Sequence, residues 1–485
     1  MKRLRLVIAG LALLALAPFD TGRSLLAQEA DLVIVNGRVM DPPSGLDAVR
    51  TVVVTGDRIT DITGRPVRGK RIIDASGLVV APGFVDILAH LRPSHEPQRY
   101  KIKDGVTTVI SMHGGPVDIR GWYGAFETGG ALLNYGTAVG HPNVRDAAGA
   151  TNEYRPATPD QRRSMREIAT RAIRDGAVGV GFGINYTPGA SYEEIVDLFD
   201  VAARQGVPAH VHSRYKGSVF PETIVQSVQE VIAAAAVTGA KAQIVHLASS
   251  AIGSMEASLE MIAGARRNGV DIMVDMHPYL ANSTRLESAL YDPGWEERFG
   301  GASVDSIMLV DTGERLNDSS FAYWREKGAT IVTFFIPEDE VLMGLGHPLM
   351  MITSDGVIVN GKGHPRGAGT FSRVLGRIVR EAGHLTLMEA LRKMTIMPAE
   401  RLAEGAPSMR FRGRLARGAY ADITIFDPNT IVDRATYLNS ARESEGVSYV
   451  IVNGTVVLDA GEFVSGATPG RPILSKWRDN DQRTP

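Results

Sequence analysis

The sequence predicts an α/β chain: a (β/α)8 TIM barrel with a small β-sandwich domain formed from both chain ends. Three observations predict it. Apolar strand-like runs alternate with amphipathic helical patterns over some 320 residues in the middle of the chain. The pentapeptide VIVNG stands at 33–37 and again at 450–454, so matching β segments lie at the two ends. No glycine-rich dinucleotide fingerprint follows the first strand, which counts against an open doubly wound sheet.

The elements follow in order. Residues 1–30 open with the basic MKRLR, continue with the apolar LVIAGLALLALAPF and close on the small residues of SLLAQEA. That layout predicts a secretory signal peptide, and hence an exported, periplasmic protein whose mature chain starts near Ala27 to Ala30. The apolar run falls short of the roughly 20 residues a membrane span requires, and an uncleaved anchor is the alternative. Residues 31–83 form the first half of the sandwich, with strands at 32–40 and 51–62. The barrel occupies 84–405, with strands at 85–91, 107–113, 132–139, 179–185, 207–213, 242–248, 271–277 and 348–354. Ser191 with Glu194, and Thr386 with Glu389, read as capping boxes at helix starts. The stretch 290–345 is long for a connection and is expected to carry its own elements, as a lid would. Residues 406–472 complete the sandwich, with strands at 421–428 and 449–457, and 473–485 are a tail. Each Asn-Gly of the repeated pentapeptide predicts a hairpin turn.

Composition bounds the function. With 44% hydrophobic and 22% charged residues the chain is an ordinary globular one. A net charge of −2 argues against a nucleic-acid partner recruited by bulk charge. The absence of cysteine excludes disulfides, thiolate ligands and a cysteine nucleophile. Oligomeric state is not readable from the sequence.

Five of eleven histidines fall near predicted strand ends: His90, His113, His210, His212 and His246. Asp355 follows the last apolar run in the same way. Barrel enzymes place their chemistry at the C-terminal ends of strands. Side chains two apart share a strand face, so His210 pairs with His212, Ser111 with His113, and Leu88 with His90. A lone strand histidine is usually a core residue. Several imidazoles and one carboxylate at one barrel mouth suit zinc, which takes both ligand types and lowers the pKa of a water. Asp355 is then the candidate proton shuttle.

The segments APGFVDILAH, HVHSR, IVHL and ITSDG, behind a terminal β-sandwich, resemble the metal-dependent amidohydrolase superfamily. GHPRGAGTFSRVLG (363–376) and GVGFGINYTPGAS (179–191) resemble its N-acyl-D-amino-acid deacylases, and DGVTTV with LLNYGTAVGH the N-acyl-D-glutamate deacylase branch. The resemblance runs from about residue 31 to 472. It implies that His212, His246, His90 and Asp355 are metal ligands, with Asp355 as ligand or general base. Tyr186, Arg214, Tyr279 and Arg366 fall in segments that line the substrate pocket of such enzymes. Two departures stand out. Leu88 replaces the first histidine of the first-strand pair, so a second metal position lacks a ligand. His113 stands where that family usually offers an acidic residue or cysteine. His113, His212 and His246 would form a three-histidine zinc site with an open fourth position; the other reading makes His113 a hydrogen-bond partner of a ligand. His210 reads as a support for His212 or a holder of substrate, and Arg366 or Arg214 as the partner of a substrate carboxylate. The implied activity is hydrolysis of a linear amide in an N-acyl-D-amino acid. A cyclic amide or dipeptide substrate, and a non-catalytic exported binding protein, are the alternatives.

Overall fold

The structure, a computed structural model, describes residues 29–481. The predicted signal peptide lies almost wholly outside the described residues.

All eight predicted barrel strands form. They are β1 (Phe84–Asp86), β2 (Val106–Ser111), β3 (Asn134–Thr137, continued by Val139–Gly140), β4 (Val180–Gly183), β5 (Ala209–His212), β6 (Ala242–Ile244), β7 (Ile272–Met276) and β8 (Met350–Ile352). Each pairs in parallel with the next from β1 to β3 and from β3 to β8. The ring closes beyond the strand ends, where His90 N–H donates to Gly356 O (3.1 Å) and Asp355 N–H to Leu88 O (2.6 Å). A buried polar knot holds this seam: Asp86 Oδ2 accepts from Lys101 Nζ (3.0 Å) and Ser354 Oγ (2.6 Å), and Asp86 Oδ1 from Ser354 N–H (3.1 Å). The bonded strands are shorter than the apolar runs that predict them. His90, His113, His246 and Asp355 consequently lie past the last ladder bond, where backbone direction is free to turn.

Both ends of the chain share one nine-stranded sheet. Its join is the antiparallel pairing of Val79–Pro82 with Ile423–Phe426. One core serves both halves, Leu32, Ile34 and Val52 packing with Ile423, Ile425 and Ile451. The two Asn-Gly pairs diverge. Asn453 (φ 48°) and Gly454 (φ 80°) make the expected tight hairpin between Val447–Val452 and Thr455–Asp459. Asn36 (φ 61°) instead makes a bulge inside the single strand Ala30–Asp41. The bulge lets one edge of that strand meet Gly69–Asp74 first and Val79–Pro82 afterwards.

One further expectation changes. Thr386 and Glu389 form a full capping box, but at Ser191 only half of one exists. Glu194 is turned inward, where its buried carboxylate accepts from His141 Nε2 (2.7 Å) and Arg145 Nη1 (2.5 Å). The tail starts docked: Ile473 is fully buried, and its N–H donates to Tyr135 O.

The long connection after β7 carries its own antiparallel sheet, Ala281–Arg285 with Thr330–Phe334 and Ile307–Leu309. An aromatic core of Tyr291, Trp295 and Phe299 backs it. Thr284, Arg285 and Thr330 face the barrel mouth and roof a cleft of about 410 Å³. No helix among the described residues is long and apolar enough to cross a membrane.

Candidate active site

The cleft opens over the C-terminal ends of the barrel strands, and four histidines meet in it. His212 ends β5, His246 lies two residues past β6, His113 two past β2, and His90 four past β1. His113 Nε2 lies 2.9 Å from His212 Nδ1. The His246 ring stands edge-on to both, its centroid 4.3 Å from that of His212 and 5.2 Å from that of His113. His246 Nε2 is buried with no hydrogen-bond partner. Ligand atoms of His113, His212 and His246 lie within 4.8 Å of one another, and so do those of His90, His113 and Asp355.

His113 therefore belongs to two groups. Its Nε2 faces His212, and its Nδ1 lies 3.6 Å from Asp355 Oδ1. A neutral imidazole has one free lone pair, so His113 can complete either group but not both at once. The three-histidine group is the better pocket for an ion. Its rings are buried or nearly so, whereas the His90 side chain is 47% exposed and 4.0 Å from Asp355. Leu88 lies fully buried among Val85, Ile87 and Ile110 and offers no ligand atom.

The supports of the ligands are specific. His246 and Asp355 both adopt positive φ, 36° and 47°, which costs of order 1–3 kcal/mol and gathers at functional sites. Asp275 steadies the first turn, its Oδ1 accepting from His246 N–H (2.9 Å) and from Thr353 Oγ1 (2.9 Å). Ser249 Oγ sits 3.0 Å from His246 Nδ1. Asn185 faces His212 Nε2 at 2.7 Å while its own Oδ1 is buried and unpartnered. Turning that amide puts Oδ1 against Nε2–H and leaves the Nδ1 lone pair for an ion.

Charge is arranged around Asp355. Burial alone would raise its carboxyl, but the Arg366 guanidinium, with the His113 ring beside it, outweighs burial and holds it well below the carboxylate range. Arg366 Nη2 lies 2.8 Å from Asp355 Oδ2, and Arg366 Nη1 lies 2.9 Å from His277 Nε2. Burial, with neighbouring cationic groups, keeps His212 and His246 neutral, the state in which they can bind a metal.

The other expected residues divide. Tyr186 lines the cleft beside His212 and bonds Thr284 (3.0 Å), and burial pushes its hydroxyl up to about 12. Tyr279 lies behind the lining, edge-on to His364 at 5.2 Å. Arg214 is outside the cleft lining, because Glu230 on the next helix takes its fork at 2.7 and 3.0 Å. His210 is fully buried with both ring nitrogens unpartnered, so Asn185, and not His210, supports His212. Five contributors escaped the sequence reading: Asn185, Lys216, Ser249, Asp275 and His277. His277 had a usable signal, since it ends the predicted strand 271–277 in the same manner as its counterparts.

The comparisons with known proteins agree with this geometry. The amidohydrolase family model matches residues 79–457. An N-acyl-D-glutamate deacylase of Alcaligenes xylosoxydans xylosoxydans is 33% identical over 470 residues, covering 89% of this chain and 94% of that protein. The crystal structure of an N-acyl-D-glutamate deacylase from Bordetella bronchiseptica, complexed with zinc and a phosphonate inhibitor that mimics the tetrahedral intermediate, superposes with a TM-score of 0.81 at 28% identity. That match covers 92% of this chain and all of the other. A D-aminoacylase with a binuclear metal center, described as activated by one metal and attenuated by a second, gives a TM-score of 0.80 at 26% identity, again over 92% of this chain and all of that one.

Proposed function

The chain belongs to the amidohydrolase family, and from that premise we propose that it hydrolyses N-acyl-D-amino acids to a carboxylic acid and a free D-amino acid. The carrying observation is the buried group His113, His212 and His246, with the bare Nε2 of His246 and with Asp355 beside it. One zinc ion suits these three neutral imidazoles. Bound there, zinc supplies Lewis acidity for the acyl carbonyl and makes hydroxide accessible near neutral pH.

The chain's own groups do the rest. Asp355 is ionised and keeps Oδ1 directed at the cleft while Arg366 holds Oδ2. Oδ1 takes the proton of the attacking water and returns it to the departing nitrogen. Tyr186 closes the cleft wall next to His212. The acidic side chain of the similar deacylases' substrates suggests D-glutamate or D-aspartate derivatives first.

The test is direct. Zinc-loaded protein is assayed for release of amino acid from N-acetyl-D-glutamate, N-acetyl-D-aspartate, N-acetyl-D-leucine and their L forms. Turnover of D forms is expected; a zinc-replete protein that turns over none of them defeats the reading. We also place the mature protein in the periplasm, on the basic, apolar and small-residue order of residues 1–30. Full-length protein recovered from the cytosol of the native host would overturn that.

A further inference from the structure

We propose that Lys101 is a positioning residue for Asp355: at the seam where the barrel closes, it fixes the Ser354 hydroxyl and thereby the direction of the carboxylate that moves the proton. This rests on the deacylase reading and adds a residue to it.

The seam is where a ladder is lacking. Asp355 lies three residues past the end of β8. On one side β8 pairs with β7. On the other, among the described residues, β1 and β8 share no ladder, only an isolated bridge between Ala89 and Gly356. Asp355 sits there at a φ of 47°, a conformation that persists only where its surroundings hold it.

The knot of Lys101, Asp86 and Ser354 supplies the hold. Ser354 Oγ donates its one proton to Asp86 Oδ2 (2.6 Å). Its two lone pairs accept from Lys101 Nζ (2.7 Å) and from Gly356 N–H (3.0 Å). Lys101 can only donate, so its ammonium sets which way that hydroxyl points. Asp86 Oδ1 takes the N–H of Ser354 (3.1 Å) and of Leu88 (3.3 Å). The residues on both sides of Asp355 are thus tied to one hydroxyl, and Asp355 N–H itself to Leu88 O. Gly356 in turn packs on the start of the helix that carries Arg366, where a Cβ on Gly356 would stand 2.5 Å from Gly367 Cα. The same tie therefore fixes Asp355 against the guanidinium that holds its Oδ2.

Lys101 belongs to the helix His95–Lys103. That helix reaches the Asp355 loop twice, since Glu96 Oε1 also accepts from Gly361 N–H (3.1 Å). Lys101 is 4% exposed and Asp86 is fully buried. An ion pair so deeply buried adds little stability over an apolar pair of like volume, because desolvation offsets the attraction. What this one provides is direction, with each hydrogen bond of the Ser354 hydroxyl assigned.

The experiment compares wild type, Lys101→Met, Asp355→Asn and the double variant as zinc-loaded full chains, with the best N-acetyl-D-amino acid as substrate and turnover counted per bound zinc. Lys101→Met should lower kcat by about 10- to 100-fold, with KM within about twofold of wild type and zinc content unchanged. In the Asp355→Asn background it should cost less than about twofold, because it acts through a carboxylate that is already gone. A full loss in both backgrounds overturns the proposal, and so does a Lys101→Met chain whose Tm falls while its kcat per zinc holds. If Lys101→Met does not fold, Ser354→Ala, which leaves the pair of Lys101 and Asp86 intact, takes its place with the same expectations. If wild type turns over none of the substrates, the deacylase reading falls and crystal structures decide the rest. The Asp355 carboxylate should leave its place beside His113 and Arg366 in the variant, and one that stays there removes the positioning role.

Discussion

Mild acid should destabilise this protein through its buried histidines. His141, His210, His212, His246, His277 and His364 are buried, and burial is the leading cause that lowers each of their pKa values. In the unfolded chain each titrates near 6.5. Below that pH the unfolded chain binds more protons than the folded one, so this stability is present above pH 6.5 and is lost as pH falls. From pH 6.5 to 5.5 a histidine that stays neutral in the fold loses about 1 kcal/mol, and the five most strongly lowered, His210, His212, His246, His277 and His364, lose about 5. Two carboxyls oppose them. Burial pushes Asp104 and Asp275 up to about 7, so the fold takes up protons across the same interval and each gains about 1 kcal/mol. The net loss is about 3 kcal/mol. At about 2.1 cal/mol/K per residue over roughly 450 residues, that is a fall in Tm of about 3 °C. Calorimetry of the zinc-free protein at the two pH values, at equal ionic strength, reads it. A Tm that holds or rises at pH 5.5 would refute the claim that these rings are held neutral.

Three other perturbations address the site. Wild type should bind one zinc per chain by elemental analysis, and His113→Cys, whose thiolate can serve both ligand groups, should move the count toward two; two ions in wild type would contradict the lone-pair argument. Asp355→Asn should cut kcat by about 100-fold or more while zinc stays bound, since Asp355 lies outside the three-histidine group; zinc loss on this change would move Asp355 into the ligand set. Asn185→Ala should weaken zinc affinity by about 10- to 100-fold, measured by competition with a chelator. An unchanged affinity would leave His212 without need of its amide partner.

The barrel was legible because each of its strands is an apolar run, and in the middle of a barrel burial on both faces erases alternation. His212, His246 and Asp355 were legible because they close such runs. What escaped depended on distant chain. Lys216 stands in a loop past β5, and the rings of Phe299 and Phe335, from the insert after β7, lie over its ammonium. Arg214 looked available until Glu230, sixteen residues on, proved to hold both arms of its fork. Asn36 and Asn453 share one pentapeptide, yet the first makes a bulge because Ala30–Asp41 must meet two strands in succession along one edge. Identical local letters gave different turns under different tertiary demands.

The charges of the cleft discriminate among the functional readings. Asp355 and Arg366 cancel as a pair, and His212 and His246 are neutral. Lys216 lines the cleft with no carboxylate partner, and burial lowers its pKa to about 7, so an anionic ligand would shift it toward its charged form. A neutral cyclic amide would not supply that charge, and the ion itself would add to the positive field around Lys216. An N-acyl amino acid brings the anion. A binding protein that had lost its chemistry could still take that anion, but it would have no use for His246 and Asp355 held at positive φ. Strain at two residues that face one group of imidazoles is retained where the group must be held in one geometry, which hydrolysis requires and simple capture of a ligand does not.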